Sequence, residues 1–118
     1  MVKHQYFGKK GEDLAAEWLT GKGYEILDRN WRHGRYEVDI VARYQDVYHF
    51  IEVKTGNENE FGHPEERVSK NKIRNMMQGG VAWLYEHPGP KRPQYDVLAI
   101  TFRKDAEPEY MLFADVYV

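Results

Sequence analysis

Two alternating segments of similar length, separated by a short polar gap, constrain the fold of this chain more than any other feature of its sequence. Tyr36 to Arg43 and Val47 to Lys54 are rich in β-branched and aromatic residues, and apolar and polar side chains alternate along both. This pattern is typical of β-strands with at least one buried face. With Gln45 and Asp46 in the gap, the two segments are predicted to form a β-hairpin.

The other elements are predicted from apolar periodicity and from turn residues. Before the hairpin, a helix is predicted from Gly8 to Lys22, ending at Gly23, and a strand from Tyr24 to Asn30. After the hairpin, a loop is predicted from Thr55 to Arg67, and strands from Tyr95 to Arg103 and from Tyr110 to Tyr117. Between that loop and these strands lies a helix capped by Ser69, with the apolar stripe Ile73, Met76, Met77, Gly80, Val81 and Leu84. The order αβββαββ predicts an α/β fold: a mixed β-sheet with helices packed on it, in which the second helix allows a parallel return. Gly79 and Gly80 inside that helix indicate close backbone packing or a kink.

Length and composition narrow the class of protein. The 118 residues fit a single domain that spans residues 1–118. The chain has no cysteine, which excludes a disulfide framework, a thiolate nucleophile and a cysteine zinc site. The longest apolar runs have five residues and no apolar export signal opens the chain, so we expect a cytoplasmic protein without a membrane span. The five histidines lack metal-ligand spacing, and we expect them to be surface or sheet residues.

Two acidic residues occupy positions that the hairpin can bring together. A two-residue turn pairs Tyr44 with Val47 and sets Asp39 directly opposite Glu52, whereas a three-residue turn puts the two carboxylates diagonally or on opposite faces. If they are opposite, their β-carbons lie about 5 Å apart and form a like-charge pair that needs a cation between them. A hard divalent ion such as Mg²⁺ suits that gap.

Three further charged residues are candidates for the same site. Lys54 follows Glu52 by two residues and faces the same way, where it is able to stabilise charge on an attacked phosphoryl group. Glu12 lies on the side of the first helix expected to face the sheet, and Lys72 opens the second helix, where its ammonium is able to meet a phosphate. The alternative interpretation stays open: Glu52 and Lys54 are solvent-facing neighbours, and Asp39 makes an ordinary salt bridge.

Positive charge is concentrated in two short segments, although 17 Lys and Arg against 19 Asp and Glu give a net charge of −2. Because phosphate contact depends on local potential, these segments are candidate nucleic-acid-binding surfaces, with an aromatic residue as a stacking platform for an exposed base. The other interpretation is a solvated loop and a charged helix start. The candidate residues are Arg29, Trp31, Arg32 and Arg35 in the first segment, and Arg67, Lys70, Lys72 and Arg74 in the second.

Six short motifs lie in order along nearly the whole chain. They are Gly8 with Gly11, Glu12 and Ala15; Arg29-Asn30-Trp31-Arg32; the segment from Glu37 to Ala42; the segment from Phe50 to Thr55; Val68 with Lys72; and Tyr95-Asp96-Val97. Together they resemble the YraN-like bacterial family. That family is similar to restriction-endonuclease-like nucleases with a PD-D/ExK core and, more distantly, to archaeal Holliday junction resolvases.

The resemblance implies a restriction-endonuclease-like fold and a nuclease function. It implies that Glu12, Asp39 and Glu52 are metal-site carboxylates and that Lys54 is the catalytic lysine. We therefore expect an endonuclease dependent on Mg²⁺ or Mn²⁺ that hydrolyses DNA phosphodiester bonds, with branched repair or recombination intermediates as possible substrates. Two alternatives remain: a non-catalytic nucleic-acid-binding module, and an interaction protein whose acidic cluster is structural. A domain of this size is able to nick alone or to cut as a symmetric homodimer.

Overall fold

The computed structural model describes residues 2–58 and 69–117 and gives the elements in the predicted order, αβββαββ. The helices are α1 (Val2–Gly21) and α2 (Lys70–Glu86). The strands are β1 (Glu25–His33), β2 (Tyr36–Tyr44), β3 (Val47–Asn57), β4 (Arg92–Phe102) and β5 (Glu109–Phe113).

The five strands form one mixed sheet in the order β1-β2-β3-β4-β5. Only β3 and β4 are parallel to each other, and α2 connects them in the sequence; the other neighbouring strands are antiparallel. The predicted α/β fold with a mixed sheet is therefore confirmed. Within the described ranges, no helix is long and apolar enough to cross a membrane.

The predicted hairpin forms with the two-residue turn. Gln45 and Asp46 have φ values of 49° and 64°, and Tyr44 pairs with Val47. Two consecutive positive φ values are typical of a type I′ turn, whose twist matches that of the flanking strands. The pairing continues without a shift to Ile40 and Ile51. The three-residue alternative is therefore wrong.

Several element boundaries differ from the prediction. The helix predicted from Gly8 already begins at Val2, and β1 continues three residues beyond Asn30. The loop predicted from Thr55 is wrong for its first residues, because β3 pairs with β4 as far as Asn57; residues 59–67 of that loop lie outside the described part of the chain. The last strand ends at Phe113 rather than Tyr117, shortly before a residue with a φ of 57°.

Two apolar cores lie on opposite faces of the sheet, one under each helix. From Ile40 onward, neighbouring residues of β2 and β3 enter opposite cores, as period-two side-chain geometry requires. The core under α1 contains Ala15, Leu19, Ile40, Ala42, Ile51, Leu98 and Ile100, and the core under α2 contains Val38, Val41, Phe50, Met76 and Trp83.

The two adjacent glycines of α2 set its distance from the sheet. A β-carbon on Gly79 would lie 2.9 Å from Val38 Cγ2, and one on Gly80 would lie 2.7 Å from Tyr95 Cε1. The predicted close packing at Gly79 and Gly80 is thus confirmed. Because these glycines face the sheet, the buried stripe of α2 continues to Trp83, which is 3% exposed. The predicted burial of Val81 is wrong, since Val81 is 55% exposed.

Candidate functional site

An open cleft of about 900 Å³, called here the central cleft, lies where β2 and β3 run beside the N-terminal part of α2. All four residues for which the sequence suggested metal binding or catalysis line it. The lining residues are Glu12, Asn30, Arg32, Arg35, Glu37, Asp39, Glu52, Val53, Lys54, Ser69, Asn71, Lys72 and Asn75.

Asp39 lies at the point where the hairpin ladder stops. The last paired residues are Ile40 and Ile51, so Asp39 and Glu52 are the next residues along the two strands, as predicted from the turn. Beyond this pair, the backbone N–H of Val53 donates to Asp39 Oδ2 at 2.8 Å. One oxygen of the carboxylate therefore replaces a ladder carbonyl and fixes the side chain at the cleft.

The strand alternation breaks at this same place. Val38 packs in the core under α2 and Ile40 in the core under α1, although residues two apart on a regular strand share a face. In β1, the neighbours of Asn30 pair with these two residues, and Asn30 itself has a φ of 54°. Asparagine tolerates this left-handed conformation better than most residues. The irregularity therefore affects both β1 and β2 next to Asp39.

Asn30 also positions Glu12, a contact that the sequence did not predict. The side-chain amide of Asn30 donates to Glu12 Oε2 at 3.2 Å and also to Oε1. Burial raises the pKa of Glu12, while the Arg29 guanidinium and the Asn30 amide act in the opposite direction. An asparagine inside a segment of strand character was the available signal, because a left-handed residue there redirects a side chain.

Asp39 and Glu52 are the most strongly perturbed acids among the described residues. Burial raises the pKa of Asp39 from 3.8 to about 6, despite the hydrogen bond from Val53. Burial, followed by the neighbouring charge on Asp39, raises the pKa of Glu52 from 4.5 to about 8. Glu52 is only 8% exposed. The two carboxylates are thus a like-charge pair whose ionised form is disfavoured.

Two lysines offset part of this unfavourable charge. Lys72 lowers the pKa of both carboxyl groups, and Lys54 lowers that of Glu52. Burial and repulsion nevertheless prevail, because both pKa values remain above the ordinary values. The two lysines therefore do not fully balance the charge of the two carboxylates.

The donor atoms available for a cation are carboxylate oxygens. In residues 2–58 and 69–117, no group of three or more His, Asp or Glu side chains is gathered closely enough to hold a metal by itself. Mg²⁺ commonly uses one or two carboxylates and completes its shell with water and substrate phosphate oxygens. Asp39 and Glu52 fit such an open site for Mg²⁺ or Mn²⁺.

The buried histidine of the sheet is engaged elsewhere. His49 lies in β3, as predicted for a sheet residue, and its Nδ1 is 2.7 Å from Asp96 Oδ2. Asp96 is fully buried and also accepts from Gln94 Nε2 and from the backbone N–H of Asp115. This network joins the C-terminal segment to β4.

The predicted nucleic-acid-binding residues are only partly brought together. Arg32, Arg35 and Lys72 line the central cleft, and Lys70 and Arg74 are exposed on α2 nearby. Arg29 instead pairs with Asp13 at 2.6 Å, away from the cleft lining. Arg67 lies outside the described residues.

Trp31, predicted as a stacking platform, is partly buried. It packs against the core under α2 and stacks on His33, with 6.1 Å between the ring centroids. Part of the Trp31 ring is therefore packed inside the protein.

The fold and the central cleft define a class: α/β proteins with a mixed sheet and a half-buried to buried carboxylate pair beside two lysines. The chain belongs to the uncharacterised protein family UPF0102, whose family model matches residues 11–100. The resemblance to the YraN-like family is thereby confirmed. Three bacterial relatives, each named UPF0102 protein, illustrate the similarity. The relative in Phocaeicola vulgatus is 39% identical, over 88% of this chain and 86% of its own length. The relative in Anaeromyxobacter dehalogenans is 42% identical, over 88% of this chain and 78% of its own length. The relative in Rhodococcus opacus is 38% identical, over 99% of this chain and 100% of its own length.

Proposed function

We propose that this protein is an endonuclease that requires Mg²⁺ or Mn²⁺ and hydrolyses DNA phosphodiester bonds in the central cleft. The observation that carries the proposal is the carboxylate pair of the half-buried Asp39 and the buried Glu52, beside Lys54 and Lys72 in a cleft open to solvent.

The carboxylate pair is costly for the fold, which argues for a function. A shift of one pKa unit corresponds to about 1.4 kcal/mol, and both groups are shifted upward. Strongly perturbed acids in a cleft are typical of functional sites. A divalent cation held by Asp39 and Glu52 would offset their charge and supply Lewis-acid polarisation of the phosphate and of an attacking water. Glu12, oriented by Asn30, assists directly or through water.

The basic residues of the cleft match the charge of the substrate. Lys54 stabilises the negative charge that builds up on the attacked phosphate, and its position beside Glu52 in the same cleft supports this role. Lys72, at the start of α2, is placed to contact a neighbouring phosphate. Arg32 and Arg35 line the same cleft and provide further donors for the DNA backbone.

The test is a cleavage assay with purified protein on linear, nicked and branched DNA, with Mg²⁺, with Mn²⁺ and with EDTA. We expect metal-dependent cutting that Asp39→Asn, Glu52→Gln and Lys54→Ala each abolish. Glu109→Gln and Lys104→Ala are matched controls, because both residues are exposed and neither lines the cleft. The controls should cut like the unaltered protein.

Two results would contradict the proposal. Cutting that survives all three cleft substitutions would identify a contaminating nuclease. Salt-sensitive DNA binding without cutting under any metal condition would select the non-catalytic nucleic-acid-binding module instead.

A further inference from the structure

A second groove continues from the central cleft along α2. This groove, called here the side groove, has a volume of about 650 Å³ and shares Arg35, Asn71 and Asn75 with the central cleft. It adds Tyr36, Arg74, Met77 and Gln78. A bound polymer that occupies the central cleft can therefore extend into the side groove without leaving the protein surface.

One stripe of α2 forms a wall of the side groove. Asn71, Arg74, Asn75 and Gln78 follow the spacing i, i+3, i+4 and i+7, which places them on one helix face. Among the described residues, no carboxylate lines this groove, whereas four line the central cleft. The groove thus combines two guanidinium groups, three amides and one phenol ring.

The two arginines of the groove contact uncharged groups among the described residues. Arg74 Nη1 donates to Asn71 Oδ1 at 3.2 Å, and the Arg35 guanidinium carbon lies 5.4 Å from the centre of the Tyr36 ring. Within residues 2–58 and 69–117, no carboxylate oxygen lies within 4 Å of either guanidinium. Both are available to a phosphate.

Asn75 joins the two walls of the groove. Its Oδ1 accepts from the backbone N–H of Glu37 at 3.2 Å, and its Nδ2 donates to the carbonyl oxygen of Arg35 at 3.4 Å. The turn between β1 and β2 is therefore tied to α2, and the width of the groove is fixed by the fold.

We propose that the side groove binds an unpaired DNA strand continuous with the strand in the central cleft. Arg35 and Arg74 contact its phosphates, and a base lies against the Tyr36 ring and the amides of α2. Stacking platforms combined with a positive groove are the general means of binding single strands. A volume in the range of small-ligand pockets and walls on two sides suit one strand rather than a duplex. The inference rests on the proposed function for the identity of the polymer, and it makes forked or flapped DNA the preferred substrate.

The test compares the binding of a short single-stranded oligodeoxynucleotide with that of the matching duplex, by fluorescence anisotropy in EDTA at several salt concentrations. Arg74→Gln and Tyr36→Leu are each expected to weaken single-strand binding roughly tenfold. Arg74→Gln should also reduce the salt slope by about 0.7. Arg92→Gln is the matched control, because Arg92 is exposed at the start of β4 and lines neither cavity. Arg74 is exposed as well, so its variant decides the result if Tyr36→Leu does not fold.

The outcomes separate this inference from the proposed function. Equal losses on single strand and duplex, or an equal loss in Arg92→Gln, indicate general electrostatic attraction and overturn the side groove. Selective loss of single-strand binding supports the groove even if no metal condition yields cutting, which would refute the nuclease alone. If the protein cuts DNA and Arg74→Gln reduces the cutting of flapped and duplex DNA equally, the proposed nuclease function is supported and single-strand binding in the side groove is refuted.

Discussion

Replacing Glu52 by glutamine should stabilise the metal-free protein, and the gain should grow with pH. The pKa of Glu52 is raised from 4.5 to about 8, chiefly by burial and then by the charge on Asp39. Between these two pH values the folded protein binds more protons than the unfolded chain. The free energy of unfolding therefore falls as pH rises through this range. Glutamine is nearly isosteric and uncharged, so the variant avoids this loss.

The magnitude follows from the size of the pKa shift. At pH 5, Glu52 is protonated in the folded protein, and the expected gain of the variant is below about 1 kcal/mol. At pH 7 the expected gain is about 3 kcal/mol, and at pH 9 about 5 kcal/mol, at about 1.4 kcal/mol per pKa unit. For a chain of this length, 1 kcal/mol corresponds to roughly 4 °C in Tm. The variant should therefore melt roughly 12 °C higher at pH 7.

The assay is thermal and urea unfolding in EDTA from pH 5 to pH 9, followed by circular dichroism. Glu109→Gln is the control, because Glu109 is exposed and the same charge is removed there without relieving burial. Its free energy of unfolding should stay within about 0.5 kcal/mol of the unaltered protein at every pH. A gain for Glu52→Gln that is the same at pH 5 and pH 9, or no gain at all, would refute the reasoning from burial and like charge.

Three further substitutions test the contacts that hold the site in place. Gly80→Ala should lower the free energy of unfolding by about 1 to 3 kcal/mol in urea, because the added β-carbon meets Tyr95 Cε1 at 2.7 Å. Asp96→Asn should lower it by about 3 kcal/mol and speed amide exchange in the C-terminal segment, since the buried partner of His49 is lost. Ser69→Ala should cost about 1 kcal/mol in urea, because the hydroxyl caps α2 by accepting from the N–H of Lys72 at 3.2 Å.

Each of these has a matched control in the chain. Gly21→Ala should be neutral or slightly stabilising, because nothing lies within 4 Å of the added β-carbon. Asp13→Asn breaks an exposed ion pair and should cost less than about 1 kcal/mol. Ser69→Asn keeps a capping oxygen and should retain most of the stability that Ser69→Ala loses. Equal effects in a substitution and its control would contradict the assigned contact.

The hairpin shows how much of the site was accessible from the sequence. Alternation located both strands, and the two polar residues between them fixed the register as far as Ile40 and Ile51. Register alone then predicted that Asp39 and Glu52 lie side by side, because facing positions on antiparallel strands share a side. The apolar stripe of α1 likewise placed Glu12 toward the sheet, where it lines the central cleft.

Other features depend on tertiary contacts that no period reveals. The prediction ended β1 at Asn30, whereas the strand continues to His33 past the left-handed backbone of that residue. The helical period of α2 fits Val81 and Trp83 almost equally well, and only the close approach of Gly79 and Gly80 to the sheet selects Trp83. The end of β3 depends on parallel pairing with β4, which lies about 45 residues away in the chain.

The net charge of −2 conceals the charge that a phosphate meets at the cleft. Among the described residues, four acids and four basic residues line it, so the formal charge of this lining is zero when all are ionised. At neutral pH the carboxyl group of Glu52, with its pKa raised to about 8, is mostly protonated, whereas that of Asp39, with its pKa raised to about 6, is mostly ionised. The described lining of the metal-free cleft therefore has a net positive charge. Under the proposed function, DNA is therefore attracted before the cation binds, and cation binding releases protons from the same two carboxyl groups. Metal affinity should consequently rise between pH 6 and pH 8, which ties cleavage to pH through the burial of Asp39 and Glu52.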